Sequence, residues 1–155
     1  MKKTNAMRIL DKLEISYLIS EHEYDELDVT GASYYKKNNI DTSQIFKTIV
    51  LEASSKRYYV AVVQSDDHID LKKLANVVSE KSISVLKLND LKKITGYERG
   101  GCSPIGMKKN FDTYIDKKAL EFNKISISGG KRGVSITLNI EDLLEKFNFK
   151  VEEIV

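Results

Sequence analysis

The chain has 155 residues, the usual size of one domain, and its 41% hydrophobic content is ordinary for a globular protein. The net charge of +2 excludes a protein that binds nucleic acid mainly through a large overall positive charge. The single cysteine, Cys102, excludes an internal disulfide. The longest apolar stretch, Tyr58 to Val63, is far too short to cross a bilayer, and the N-terminus lacks a signal core. We therefore expect one cytoplasmic domain, residues 1–155, that does not enter a membrane.

The first third of the chain predicts two helices with a strand between them. Thr4 is suited to cap a helix whose apolar residues recur at spacings of three and four. The acidic residues 21–28 predict a loop after the strand. The predicted elements are a helix with Ala6, Ile9, Leu10 and Leu13 on its core stripe, a strand at Ile15–Ile19 and a helix at Thr30–Asn38.

The middle of the chain predicts a β-hairpin, a helix, a strand and a further short helix. Two runs of β-branched and aromatic residues, separated by a mostly polar connection, indicate the hairpin. Asp70 is placed to cap the first helix, and Gly96 to end the second. The predicted elements are strands Phe46–Leu51 and Tyr58–Val63, a helix after Asp70, a strand at Ser82–Leu88 and a helix from Asn89.

The last third begins with a loop and ends with a hairpin and a helix. The segment GYERGGCSPIG, residues 96–106, holds the only proline of the chain and cannot form regular structure. The predicted elements after it are a strand at Asp112–Ile115, a helical turn around Ala119, strands Ile125–Ser128 and Val134–Leu138 joined by residues 129–133, and a helix from near Asn139. One mixed α/β domain with a largely antiparallel sheet is predicted.

Most signatures of catalytic chemistry are missing from this sequence. It has no nucleophile elbow G-x-S-x-G, no H-E-x-x-H and no paired CxxC. His22, His68 and Cys102 make a poor set of metal ligands, so we expect neither a metal nor a cofactor. Any reaction must then rely on positioning and polarisation by the protein.

Lys47 is the first candidate for such a role. Strand alternation places it on the same face as Ile49 and Leu51, where an ammonium group is costly to bury unless it serves a partner. Either its side chain reaches water at the rim of the sheet, or it provides a cation for a phosphate or a developing oxyanion. The pattern alone leaves both interpretations open.

The last predicted hairpin has one apolar face and one face lined with hydroxyl groups. Gly129 and Gly130 let a ligand approach the backbone closely, and Lys131 and Arg132 could meet phosphate. The alternative is a solvated sheet face with a flexible turn. The core face holds Ile125, Ile127, Val134, Ile136 and Leu138, and the opposite face holds Ser126, Ser128, Ser135 and Thr137.

The glycine loop, residues 96–106, supplies two further candidates. We expect the backbone N–H groups of Gly100 and Gly101 to be free to polarise an ester carbonyl. The alternative is a long surface connection without a function.

The cysteine and the histidines are weaker candidates. Cys102 could act as a nucleophile, but no base lies beside it and a lone cysteine is usually a small apolar filler. His68 precedes a helix among acidic residues, which favours a surface or capping role. His22 lies in the acidic loop after the first strand, from which it could reach a site.

Three motifs occur in a characteristic order: F-K-T-I-V at 46–50, T-G-Y-E-R-G-G-C-S-P-I-G-M-K-K at 95–109 and S-G-G-K-R-G at 128–133. Together they resemble the YbaK/EbsC family of aminoacyl-tRNA deacylases, which is related to the editing domain inserted in bacterial prolyl-tRNA synthetases. The likeness runs from the first helix to about Ile154. It implies an α/β fold with a central mixed, barrel-like sheet and hydrolysis of mischarged tRNA, most typically Cys-tRNA(Pro).

The resemblance also implies roles for particular residues. Lys47 is the residue most needed for activity, the loop Gly100–Gly106 with Ser103 and Pro104 lies over the aminoacyl end, and Ser128 lines the same pocket. Some relatives have tyrosine where His22 falls. Others have aspartate where Ser135 stands, which weakens any general-base role there.

The expected function is therefore trans-editing of mischarged tRNA without an enzyme nucleophile. Lys47 and the basic hairpin loop hold the terminal adenosine, the two glycine N–H groups polarise the ester, and the thiol of the substrate attacks it. The expected partners are the acceptor end of tRNA and, as the resemblance suggests, prolyl-tRNA synthetase. The alternatives are an Ala-tRNA(Pro) deacylase that uses water and a non-catalytic module that binds tRNA or the synthetase.

Overall fold

Three of the five α-helices begin at a capping side chain, and the sequence predicts two of these caps, Thr4 and Asp70. In the computed structural model, which describes residues 1–155, side-chain oxygens of Thr4, Asp70 and Asn139 accept hydrogen bonds from the first turns of three helices. The helices are α1 (Asn5–Lys12), α2 (Ala32–Lys37), α3 (Leu71–Val78), α4 (Leu88–Thr95) and α5 (Ile140–Lys146), with a 3₁₀ helix at Lys117–Glu121. None of the helices has the length and apolar content that a bilayer crossing requires.

The strands form two sheets. They are β1 (Tyr17–Glu21), β2 (Phe46–Ala53), β3 (Tyr58–Gln64), β4 (Ile83–Val85), β5 (Asp112–Asp116), β6 (Lys124–Lys131), β7 (Val134–Asn139) and β8 (Lys150–Glu152). The antiparallel sheet has the order β1-β7-β6, and the mixed sheet has the order β4-β2-β3-β5-β8 with β5 parallel to β3 and β8. A bridge between Ile45 and Ser126 joins the two sheets just before β2. The predicted α/β class with a mixed arrangement of strands is confirmed.

Several element boundaries differ from the predicted ones. The N–H of Ile15 donates to the carbonyl of Leu10 at 2.9 Å and closes α1, so β1 starts at Tyr17. Leu88 begins α4 instead of ending a strand, which shortens β4. β6 continues to Lys131 through a bulge after Ser128, so only Arg132 and Gly133 turn the last hairpin. The strand β8 was not predicted, because its pairing with β5 joins distant parts of the chain.

The predicted alternation along the last hairpin is confirmed. The side chains of Ile125, Ile127, Val134, Ile136 and Leu138 are buried in the main core with residues of α1 and α5. Hydroxyl groups occupy the other face, where the oxygens of Ser126 and Thr137 lie 2.6 Å apart. This division turns Ser128 and Ser135 toward the cleft described next.

Candidate functional site

A cleft of about 1230 Å³ lies between the two sheets and the loops around them. Apolar side chains form nearly half of its lining, a composition typical of ligand sites. It brings together four predicted site residues from distant parts of the chain: His22, Lys47, Gly100 and Ser128. Lys47 and both glycine-bearing segments therefore face one cavity. The lysine, arginine, aspartate and histidine side chains that line it are His22, Lys36, Asp41, Lys47, Asp66, His68 and Arg99.

Lys47 is half-buried at the start of β2 and takes part in none of the ion pairs of the structure. Burial lowers the pKa of its ammonium, and the negative charges of Asp67 and Asp66 oppose that shift. Both carboxylates have other partners. Asp67 accepts from the Lys118 ammonium at 2.7 Å, and Asp66 accepts from the Thr42 hydroxyl at 2.5 Å. The two nearby carboxylates thus favour the charged form of Lys47, and because its ammonium has no ion-pair partner it is available to an anion in the cleft.

His22 is held in place by two tyrosines of α2. Its ring stacks on Tyr34 with 5.4 Å between centroids, and its Nε2 lies 3.3 Å from the Tyr35 hydroxyl. Its Nδ1 lies 3.1 Å from the carbonyl oxygen of Glu23. Burial raises the pKa of Tyr35. Because both ring nitrogens have partners, His22 is better suited to form a wall of the cleft than to transfer a proton.

The two loop glycines differ in their hydrogen bonding. The N–H of Gly101 donates to the carbonyl of Glu98 at 3.0 Å, so the expectation that it is free was wrong. The N–H of Gly100 has no backbone acceptor, and Gly100 lines the cleft. Its φ of +85° and its close approach to the Val29 carbonyl leave no room for a Cβ atom. Of the two glycines, therefore, only Gly100 has an N–H without a backbone acceptor.

Ser103 and Pro104 do not line this cleft, so its lining does not support the prediction that they contact the substrate. Ser103 is fully buried, and its hydroxyl oxygen accepts from the N–H of Ile105 at 3.2 Å. Pro104 lines a second cleft of about 460 Å³. Both residues belong to the part of the glycine loop that lies outside the lining of the first cleft.

Gly129 and Gly130 also face away from the cleft. The Thr4 hydroxyl donates to the carbonyl of Gly129 at 2.6 Å, and a Cβ on Gly130 would lie 3.2 Å from the Tyr97 ring. These glycines allow β6 to pack against the start of α1, and neither lines the cleft, so the cleft does not support the predicted approach of a ligand to their backbone. Ser128 does line the cleft, although its hydroxyl also accepts from the N–H of Gly130 at 3.2 Å.

Lys131 and Arg132 lie at the tip of the hairpin, outside the lining of the cleft. Lys131 is exposed. The Arg132 Nε donates to the carbonyl of Arg99 at 2.9 Å, and its guanidinium lies 3.9 Å from the carboxylates of Glu26 and Glu98. Arg132 therefore connects the glycine loop to the hairpin, and its predicted contact with phosphate stays a prediction.

The cleft also contains residues that the sequence did not identify. The hydroxyl groups of Thr48 and Ser65 line it, are buried and have no hydrogen-bond partner. Thr48 follows Lys47 in β2, and the Ser65 N–H donates to the Ile45 carbonyl at 2.8 Å beside it. Arg99 and Tyr35 line the cleft as well. A hydroxyl next to a candidate lysine was the one available signal; the others depend on tertiary packing.

Cys102 is only 8% exposed and packs among Val50, Val60, Leu86 and Tyr97. Burial raises the pKa of its thiol to about 12. The thiolate is the nucleophilic form, so at neutral pH this cysteine is inert. The preferred interpretation of Cys102 as an apolar filler agrees with this environment. No group of three or more His, Cys, Asp or Glu side chains is arranged to hold a metal ion.

Comparisons with known proteins agree on one family. The family model described as the aminoacyl-tRNA editing domain matches residues 29–146. EbsC of Enterococcus faecalis, provisionally named a Cys-tRNA(Pro)/Cys-tRNA(Cys) deacylase, is 40% identical over 99% of this chain and 93% of its own. The prolyl-tRNA editing protein ProX of Acetoanaerobium sticklandii is 23% identical over 86% of this chain and 83% of its own.

A solved structure shows the same fold. The crystal structure of a protein provisionally assigned as a trans-editing enzyme for prolyl tRNA synthetase superposes with a TM-score of 0.79 at 19% identity. The match covers 99% of this chain and 98% of that one.

Proposed function

The chain belongs to the aminoacyl-tRNA editing domain family, and from this premise we propose that it removes cysteine from mischarged tRNA(Pro). It is an aminoacyl-tRNA deacylase, a hydrolase of carboxylic esters. The observation that carries the proposal is that Lys47, whose ammonium has no ion pair, lines one cleft together with Gly100, whose N–H has no backbone acceptor. The name of the EbsC relative supports cysteine as the amino acid that is removed.

The proposed mechanism needs no nucleophile from the protein. The thiol sulfur of the substrate attacks its own ester carbonyl, a C–S bond forms, and the bond from the carbonyl carbon to the ribose oxygen breaks. The thiol proton passes to that leaving oxygen, and water later opens the four-membered thiolactone. Gly100 and Lys47 stabilise the negative charge that develops on the carbonyl oxygen. Because Cys102 is buried and protonated, it is not suited to act as a nucleophile, which agrees with a mechanism in which the substrate provides the thiol.

The choice of tRNA is proposed to come from a second protein. A domain with a net charge of +2 has little to read beyond the acceptor end. The names of the similar proteins refer to prolyl-tRNA and its synthetase, which supports a cytoplasmic complex with prolyl-tRNA synthetase. In such a complex the synthetase supplies tRNA identity and this chain supplies hydrolysis.

The test is a panel of purified tRNAs charged with cysteine, alanine, serine or proline, with and without prolyl-tRNA synthetase. Serine is the matched control, since it replaces only the sulfur of cysteine by oxygen. We expect Cys-tRNA(Pro) to be hydrolysed faster than Ser-tRNA(Pro) by about 100-fold or more, because an intramolecular nucleophile has a large effective concentration. Preferred hydrolysis of Ala-tRNA(Pro) would indicate the water-dependent reaction, and binding without ester release would indicate a non-catalytic module.

A further inference from the structure

The glycine loop forms a wall of two clefts. Gly100 and Cys102 line the cleft that contains Lys47, whereas Pro104 and Gly106 line the second cleft of about 460 Å³. Cys102 and Pro104 are two residues apart, so their Cα atoms are separated by at most about 7 Å. The linings of the two clefts therefore come within about 7 Å of each other at this loop.

The second cleft is positively charged. Lys109, Lys146 and Lys150 line it, together with a single carboxylate, that of Asp112. All three lysines are exposed, and none belongs to an ion pair. The Lys150 ammonium lies 5.8 Å from the centroid of the Tyr114 ring. These ammonium groups are free to bind an anion.

Aromatic and amide groups accompany the lysines. Phe111, Phe147 and Phe149 line the cleft and are each half-buried, and the last two rings lie 5.7 Å apart between centroids. The amide side chains of Asn5 and Asn110 line it as well. Unpaired nucleotides bind to surfaces of this kind, because bases stack on aromatic rings while phosphates contact cations. An acidic peptide would use the lysines but would have no need of the rings.

A series of contacts links the glycine loop to the second cleft. Lys131 is exposed, and its backbone lies against Gly101 of the glycine loop. The next contact is between Gly130 and Thr4. Asn5 follows Thr4, lines the second cleft and donates to the carbonyl of Gly106 at 3.0 Å. An exposed cation, Lys131, therefore lies beside the segment that separates the two clefts.

We propose that the second cleft binds the RNA nucleotides that precede the aminoacylated end. The phosphates lie on Lys109, Lys146 and Lys150, and one or more bases pack on the phenylalanine rings. This inference rests on the proposed function, because it takes the aminoacyl group to occupy the first cleft. The second cleft would provide local phosphate contacts that position the RNA on a domain whose net charge is only +2.

The experiment compares two triple variants of equal charge. Lys109→Gln, Lys146→Gln and Lys150→Gln remove the ammonium groups of the second cleft. Lys72→Gln, Lys81→Gln and Lys117→Gln remove three exposed lysines that line neither cleft and form no ion pair. The probe is an uncharged acceptor-stem RNA hairpin with an unpaired 3′ end, and binding is followed by fluorescence anisotropy against salt concentration. Deacylation kinetics are measured on the same proteins.

For the cleft variant we expect the slope of log affinity against log salt to become shallower by about 2, since each contact to single-stranded RNA contributes about 0.7. KM should rise while kcat changes little, and the control variant should resemble the unmodified protein. Equal slopes for both triple variants would overturn the proposal. So would normal RNA binding combined with loss of binding to prolyl-tRNA synthetase, because the cleft would then dock a protein. The anisotropy result remains decisive even if no charged tRNA is hydrolysed, so failure of the proposed function is recognised separately.

Discussion

At the scale of single residues, the central feature is a lysine whose charge has no partner. Lys47→Met should lower kcat/KM for Cys-tRNA(Pro) by roughly 100-fold or more, because it removes the cation that stabilises the developing oxyanion. Lys36→Met is the matched control, since Lys36 also lines the cleft but lies on α2. Steady-state kinetics and thermal unfolding of both variants check this prediction. Equal activity of the two variants would remove Lys47 from the mechanism.

The pH dependence of activity should report the same lysine. Burial lowers the pKa of Lys47 below its ordinary value of 10.5, so activity should fall as pH rises through that lowered pKa. Asp67→Asn removes a charge that opposes the shift and should move this alkaline limit to lower pH. The same depressed pKa means that the unfolded chain binds more protons, so the Lys47 contribution to stability increases as pH rises through this window.

The control for this pH profile is Lys118→Met. It breaks the same ion pair as Asp67→Asn but leaves the Asp67 charge beside Lys47. The alkaline limit of kcat/KM should not move to lower pH in this variant. A downward shift of equal size in both variants would mean that the ion pair, and not the Asp67 charge, determines the protonation of Lys47.

The buried cysteine should resist alkylation. A thiol with a pKa of about 12 and 8% exposure carries almost no thiolate at neutral pH. Iodoacetamide should therefore label Cys102 slowly in the folded protein and rapidly in denaturant, as followed by mass spectrometry. Rapid labelling of the folded protein would contradict this environment and revive Cys102 as a nucleophile.

At the scale of elements, the features that depend on residues close in sequence could be predicted, whereas those that depend on pairing between distant strands could not. The caps Thr4 and Asp70 and the apolar alternation of the last hairpin could be predicted, because each depends on residues close in sequence. β8 could not be predicted, because its three residues, Lys-Val-Glu, form a strand only through their pairing with β5. The extension of β6 to Lys131 likewise depends on a bulge opposite β7.

The glycine loop provides a prediction at this scale. Gly100→Ala would place a Cβ in steric clash with the Val29 carbonyl oxygen, so the loop must shift and the Gly100 N–H must move with it. Gly96→Ala is the matched control, because its φ of +87° resembles the +85° of Gly100 but its Cβ would meet only the flexible Lys108 side chain. Both variants should lose stability, by about 1 kcal/mol or more. Only Gly100→Ala should also lose most of its kcat, as measured by deacylation kinetics at saturating substrate.

A result in which both glycine variants keep full kcat would show that the position of the Gly100 N–H is unimportant. Equal loss in both would point to a general effect of backbone strain on the loop.

At the scale of the whole molecule, the two sheets gather residues from His22 to Ser135 around one cleft. The sequence motifs identified the segments that meet there. They did not reveal which atoms face the cavity, because that depends on partners contributed by other segments. The Gly101 N–H donates to the carbonyl of Glu98, and the Ile105 N–H donates to the Ser103 hydroxyl. The Arg132 guanidinium forms an ion pair with Glu26 at the tip of the hairpin.

The central claim is that the substrate supplies the attacking thiol while the protein supplies charge and shape. It is tested most directly by single-turnover hydrolysis of Cys-tRNA(Pro) and Ser-tRNA(Pro) with the Cys102→Ala variant, in which the protein has no thiol left. The predicted result is that cysteine is released at close to the rate of the unmodified protein and faster than serine by about 100-fold or more. Equal rates for cysteine and serine, or loss of all hydrolysis in this variant, would contradict the account.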